Sequence, residues 1–130
     1  MKCLIIEDNE FLRETAVMFL KEVAEIEVAG NGREGVERFT EALAKGAPFD
    51  LVLLDILMPE MDGQQALRLM RQAERDAVGA QTKSVIIMTT SLNSPENMQE
   101  AIWDGDCTDY LVKPIARADL MGVLKRHGLL

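Results

Sequence analysis

Residues 50–63 read DLVLLDILMPEMDG, and this stretch decides the fold. Its four consecutive apolar residues, 51–54, predict a strand covered on both faces, because a strand with one wet face alternates polar and apolar side chains. The apolar run stops at a carboxylate, Asp55, and Met-Pro and Asp-Gly pairs then turn the chain. A buried strand that ends on a charged group suggests that the charge has a chemical role.

Apolar runs alternate with stretches of helical period along the whole chain. The runs KCLIIE, EIEVAG, DLVLL, VIIMTT and YLV predict five strands, and five helices are predicted at 11–24, 32–46, 63–73, 94–103 and 117–126. This order predicts an α/β protein with a doubly wound, five-stranded parallel sheet in a flavodoxin-like three-layer sandwich. We expect the strand order 2-1-3-4-5, which puts the binding crevice beyond the carboxyl ends of strands 1 and 3.

Composition limits the classes of function. The formal net charge of −8 at pH 7 repels phosphate backbones, so we expect no nucleic-acid binding. No stretch has the roughly 18 apolar residues of a membrane span, and no signal peptide precedes the first strand, so we expect a cytoplasmic protein without membrane insertion. The 130 residues are expected to form one domain, 1–130, with no effector domain. Cys3 and Cys107 are isolated, so neither a zinc site nor a disulfide is expected.

Charged and hydroxyl side chains stand at the carboxyl ends of the predicted strands: Glu7, Asp8, Asp55, Thr89, Thr90 and Lys113. Strands 1 and 3 should lie about 4.8 Å apart, so the three carboxylates should form a cluster. Their mutual repulsion requires a compensating cation, and a few carboxylates with open water positions suit Mg²⁺. An ammonium and a hydroxyl at the same rim suit a phosphoryl group, for which Asp55 is the best-placed acceptor.

These motifs resemble the receiver domain of two-component response regulators. The matching segments span nearly the whole chain: the pair at 7–8, DILMPEMDG at 55–63, the threonine that ends strand 4, and DYLVKPI at 109–115. The resemblance implies a stand-alone, chemotaxis-regulator-like switch in which Asp55 takes a phosphoryl group from a histidine kinase or histidine phosphotransferase. It implies that Lys113 pairs with the phosphate. The Lys-Pro peptide at this place is commonly cis in the family, so the Lys113–Pro114 peptide is expected to be cis. It further implies Mg²⁺ held by Glu7, Asp8, Asp55 and the backbone carbonyl of Leu57.

The family's switch hydroxyl can be placed in two ways. Thr90 followed by Ser91 best matches the usual threonine and small residue, whereas Thr89 matches if the strand ends earlier; we favour Thr90. The resemblance implies that phosphorylation draws this hydroxyl toward the new oxygens and turns Tyr110 inward. It also implies an output face formed by the fourth helix, fifth strand and fifth helix. Through that face the protein would contact a downstream protein target; alternatively it would pass the phosphoryl group on in a phosphorelay.

Three positions around these motifs need separate interpretation. Where the family has a Gly-Ala turn, this chain reads DGDCTDY at 104–110, so either Asp106 occupies the glycine slot or one residue is inserted. Trp103 is either a binding anchor on the output face or a core residue. Leu57, two residues after Asp55, is expected to shield an acyl phosphate from water.

Two other classes of function fit the sequence less well. A Mg²⁺-dependent phosphatase-like hydrolase also uses an aspartyl nucleophile, but such enzymes generally carry a second Asp two residues on, where this chain has Leu57. A nucleotide-binding module needs a Gly-rich or Ser/Thr-rich phosphate loop after the first strand, where this chain has the acidic EDNEF at 7–11. We therefore predict a signalling domain that catalyses only its own phosphorylation and dephosphorylation, with the hydrolase as the alternative.

Overall fold

The computed structural model describes residues 1–77, 83–91 and 106–130, in which four helices accompany a five-stranded sheet. The strands are β1 (Lys2–Ile6), β2 (Glu25–Ala29), β3 (Leu51–Asp55), β4 (Val85–Thr90) and β5 (Asp109–Val112). The helices are α1 (Glu10–Leu20), α2 (Gly32–Ala44), α3 (Gly63–Asp76) and α4 (Arg117–Arg126). The helix predicted at 94–103, with Trp103, lies outside the described residues, so α4 corresponds to the last of the five predicted helices.

The sheet has the predicted topology. All neighbouring strands pair in parallel, in the order β2-β1-β3-β4-β5. β3 lies in the middle and is buried at every position. Its side chains Val52 and Leu54 pack with residues of α2 and α3, whereas Leu51 and Leu53 pack with residues of α1 and α4. This burial on both faces explains why the apolar run at 51–54 is continuous.

Short polar side chains start three of the helices. Asn9, Asn31 and Asp62 each accept a hydrogen bond from the backbone N–H three residues further on, at the first turns of α1, α2 and α3. These caps satisfy amides that have no partner inside the helix. Within the described ranges, no helix is both long and apolar enough to cross a bilayer.

The end of α3 differs from the prediction. The sequence predicts a helix that ends at residue 73 and a polar loop after it, but α3 continues to Asp76. Arg71 and Glu74 form a buried ion pair on this turn, with 2.7 Å between Nη1 and Oε1. Arg71 also donates to the carbonyl of Ser84, and Glu74 accepts from the amide of Ser84. Glu74, the first residue of the predicted loop, is therefore bound internally, and together with Arg71 it joins the last turn of α3 to the start of β4.

Candidate functional site

The carboxyl ends of β1 and β3 bring three acidic side chains together. Ile6 pairs with Leu54 in the sheet, so Glu7 follows β1 beside Asp55, the last residue of β3. Each of Glu7, Asp8 and Asp55 offers a carboxylate oxygen, and these oxygens all lie within 4.8 Å of one another. Glu7 and Asp55 are buried, whereas Asp8 is exposed. The cluster predicted from the sequence is therefore present, and one of its members faces solvent.

Lys113 reaches the same cluster from the segment after β5. Its Nζ lies 2.8 Å from Glu7 Oε1 and 3.1 Å from Asp55 Oδ1. Its backbone amide donates to the carbonyl of Thr90 at 2.6 Å, which fixes it at the end of β4. The Lys113–Pro114 peptide is cis, as the resemblance implied. The ammonium thus bridges two of the three carboxylates.

The cluster changes the acidity of its own members. Burial, and then the charge of Glu7, raise the pKa of Asp55 to about 7, while Lys113 opposes the rise. Burial by itself lowers the pKa of Lys113, but its hydrogen bond to Glu7 and the charge of Asp55 outweigh burial and raise that pKa. At neutral pH Asp55 is therefore only partly ionised, and a cation bound beside it would lower its pKa and increase the ionised fraction.

The two candidate switch hydroxyls lie on opposite faces of β4. Thr89 pairs with Asp55 in the sheet and lines a cavity of about 140 Å³ between α1 and α4. Thr90 is the next residue, is buried, and its Oγ1 donates to the carbonyl of Ser91 at 3.2 Å. Thr90 is also the residue whose carbonyl binds the Lys113 amide. A backbone hydrogen bond thereby joins the end of β4 to Lys113, the residue whose ammonium contacts Glu7 and Asp55.

Tyr110 lies on β5, the strand at the edge of the sheet opposite β2. Its side chain is 36% exposed, and it lines a groove together with Gly122 and Arg126 of α4. Asp106, before β5, has a φ of 62°, a left-handed conformation that favours glycine and that Asp tolerates better than most residues.

The sequence interpretation missed two residues that shape the site. The sequence places Gly63 at the turn into the third helix but does not predict its close contact: a Cβ there would lie 2.2 Å from the carbonyl oxygen of Asp55, so only glycine allows α3 to start against β3. The Asp-Gly pair was its signal. Arg13 of α1 was not singled out; its Nη1 donates to the carbonyl of Glu7 at 3.0 Å. Nothing in the local sequence distinguishes Arg13 from other surface arginines.

Comparisons with known proteins agree with this geometry. Residues 3–125 match the family described as the response regulator receiver domain. Hybrid signal transduction histidine kinase G of Dictyostelium discoideum is 35% identical over 131 residues, which cover 98% of this chain and 4% of that protein. The chain spans less than half of the length of three curated relatives that it matches: 4%, 49% and 7%.

Solved structures show the same fold. The receiver domain of the histidine kinase CKI1 from Arabidopsis thaliana, complexed with Mg²⁺ and BeF₃⁻, has a TM-score of 0.82 and is 28% identical, and the match covers 96% of this chain and 89% of that one. The chemotaxis protein CheY4 of Vibrio cholerae has a TM-score of 0.76 and is 29% identical, and the match covers 96% of both chains.

Proposed function

This chain belongs to the response regulator receiver domain family, and from that premise we propose that Asp55 is its phosphoryl acceptor. Receiver domains are signalling modules of two-component systems, in which an aspartate typically accepts the phosphoryl group, and their partners are histidine kinases and phosphotransferases. The family is not one of classical enzymes, which counts against the hydrolase alternative. The observation that carries the proposal is the contact of Lys113 Nζ with both Glu7 and Asp55.

The proposed reaction is a phosphoryl transfer from a phosphorylated imidazole. An oxygen of the ionised Asp55 carboxylate forms a bond to phosphorus while the bond from phosphorus to the imidazole nitrogen breaks, and the departing imidazole takes a proton from solvent. The product is an acyl phosphate. Lys113 Nζ lies 3.1 Å from Asp55 Oδ1, so its positive charge lies beside the carboxylate that receives the phosphoryl group and can offset the negative charge of the phosphoryl oxygens.

We assign Mg²⁺ to the acidic cluster, with Glu7, Asp8, Asp55 and the backbone carbonyl of Leu57 as its protein ligands. Receiver domains bind Mg²⁺ at an acidic pocket, and three carboxylate oxygens within 4.8 Å of one another form a donor set of the kind that a hard divalent cation prefers. When bound, the ion supplies positive charge to the phosphoryl oxygens. The exposed Asp8 keeps one side of the set open to water.

The output of the switch is assigned to Thr90 and Tyr110. Thr90 is tied through its backbone to Lys113, so a movement of its hydroxyl toward new phosphoryl oxygens is local to the site. Tyr110 is half-exposed on the edge strand, next to a groove with α4. We propose that it turns inward on phosphorylation and that a downstream protein binds the face formed by the predicted fourth helix, β5 and α4. The chain itself makes no contact with nucleic acid in this proposal.

Phosphorylation by a small donor tests the acceptor. The protein is incubated with acetyl phosphate and Mg²⁺, and its intact mass is measured. We expect one added phosphoryl group on the wild type, none on Asp55→Asn, and none when EDTA removes the metal. Asp76→Asn is the matched control, because Asp76 is exposed on α3 and bonds only Gln72 among the contacts described. A phosphoryl group on Asp55→Asn at the wild-type level would disprove the assignment.

A further inference from the structure

Arg13 directs its guanidinium toward the backbone of the site. The residue lies on α1 and is only partly exposed. Its Nη1 donates to the carbonyl of Glu7 at 3.0 Å, and a Cβ on Gly30 would lie 3.7 Å from the same nitrogen. The guanidinium therefore sits where the segments after β1 and β2 separate, at the carboxyl edge of the sheet.

The Glu7 carbonyl is the next acceptor in the ladder between β1 and β2. The amide of Glu25 donates to the carbonyl of Met1, and the amide of Glu7 donates to the carbonyl of Ala29. Continuing this register, the carbonyl of Glu7 would face the amide of Asn31, but the chain turns into α2 at Asn31 and the described contacts include no hydrogen bond between these two groups. The guanidinium of Arg13 donates to that carbonyl instead, one residue beyond the last β1–β2 pair, Ile6 and Ala29. It thereby satisfies an acceptor that the sheet leaves unpaired.

The bonded carbonyl belongs to the peptide unit that joins two proposed metal ligands. Glu7 carries its side chain on one side of that peptide and Asp8 on the other. The Glu7 carboxylate is also held by Lys113 and by the amide of Asn9, at 2.8 and 3.2 Å. Asp8 is exposed, so its direction depends mainly on the backbone that carries it. Fixing the peptide plane fixes the direction of Asp8.

We propose that Arg13 is a positioning residue of the metal site: its hydrogen bond to the Glu7 carbonyl holds the Glu7–Asp8 peptide so that both carboxylates meet the cation. This inference rests on the proposed metal site. Partners that orient metal ligands commonly change metal affinity by a factor of about 10 to 100 when they are removed. Arg13 touches no ligand oxygen in the geometry described, so it acts through the peptide.

The charge of Arg13 and its hydrogen bond to the Glu7 carbonyl have opposite expected effects on the Kd for Mg²⁺. A guanidinium close to a divalent cation repels it, so if Arg13 acted only through its charge, removing it would tighten Mg²⁺ binding. If Arg13 positions the peptide, removing it weakens binding. The two explanations therefore predict opposite changes in one measured quantity.

The experiment is a calorimetric titration of Mg²⁺ into the full chain and its variants. Arg13→Met and Arg13→Gln both remove the guanidinium, and we expect the Kd for Mg²⁺ to rise about tenfold in each. Arg33→Met is the matched control, since Arg33 is an exposed arginine of α2 paired with Glu37, and its removal should change the Kd by less than about twofold. Far-UV circular dichroism checks that each variant is folded.

A spectroscopic readout accompanies the titration. The ¹³C′ chemical shift of Glu7, measured without metal, should move in both Arg13 variants and stay in Arg33→Met, because only Arg13 binds that carbonyl. An unchanged or lower Kd for Mg²⁺ in a folded Arg13 variant would overturn the inference. Failure of the metal site itself is recognised separately: then the wild type takes up no Mg²⁺ and Asp8→Asn behaves like it.

Discussion

Asp55 should make the metal-free protein less stable as the pH rises toward neutrality. Burial and the charge of Glu7 raise the pKa of Asp55 to about 7. In the unfolded chain the same carboxyl titrates near 3.9, so the folded state holds a proton over a window in which the unfolded state has lost it. The free energy of unfolding therefore falls as the pH rises through that window.

The size of the effect follows from the shift. Below a pH of about 3.9 both states are protonated and the shift has no effect, whereas above about 7 the full penalty applies. A pKa of Asp55 that is about 7 in the folded state and about 3.9 in the unfolded state lowers the free energy of unfolding by roughly 4 kcal/mol in all. About 3 kcal/mol of this loss should develop between pH 5 and pH 8. The raised pKa of Lys113 adds stability that is lost only above its usual pKa of about 10.4, well outside this range.

Urea unfolding of the wild type and Asp55→Asn, in EDTA and followed by far-UV circular dichroism, measures this penalty. Asparagine is nearly isosteric and does not ionise, so the difference between the two proteins cancels the titrating groups that do not interact with Asp55. We expect Asp55→Asn to gain about 3 kcal/mol relative to the wild type between pH 5 and pH 8. Parallel pH profiles for the two proteins would show that the site does not hold a proton on Asp55 and would refute the reasoning.

Four further changes test the segment from 55 to 63 and, at Gly46, one left-handed turn outside it. Gly63→Ala should destabilise the fold by about 3 kcal/mol or more and abolish phosphorylation, because the new Cβ would lie 2.2 Å from the Asp55 carbonyl oxygen; a wild-type melting temperature contradicts this. Glu60→Gly should stabilise the fold by about 1 kcal/mol, because Glu60 has a φ of 67°. Gly46→Ala should destabilise the fold by a similar amount, because Gly46 has a φ of 73° and open space around it. Opposite signs in urea unfolding would reject the strain argument. Leu57→Asn should lose its phosphoryl group faster than the wild type, because an exposed apolar side chain next to Asp55 is replaced by a polar one; slower loss, followed by intact mass over time, would end the shielding hypothesis.

The sequence predicted the features that depend on the spacing of apolar residues and on which residues end the strands. Continuous apolar runs specify strands covered on both faces, and the carboxyl ends of such strands must meet at one edge, so the approach of Glu7, Asp55 and Lys113 followed from position alone. It did not predict contacts that depend on side-chain reach. Arg71 and Glu74 bind Ser84 beyond the end of α3, and Arg13 binds a carbonyl six residues earlier; no periodic pattern predicts these contacts.

Charge balance links the parts of the site. Among the residues that the structure describes, Glu7, Asp8 and Asp55 form the acidic cluster and Lys113 is the ammonium in contact with it, so with all three carboxylates ionised these four groups carry two excess negative charges. One divalent cation neutralises that excess, which makes ionised Asp55 stable enough to act as a nucleophile. An acyl phosphate adds negative charge again, and neutral donors are then the remaining means of compensation. The hydroxyl of Thr90, whose backbone carbonyl accepts from the Lys113 amide, is such a donor, so the movement proposed for Thr90 would offset part of the charge of the phosphorylated state.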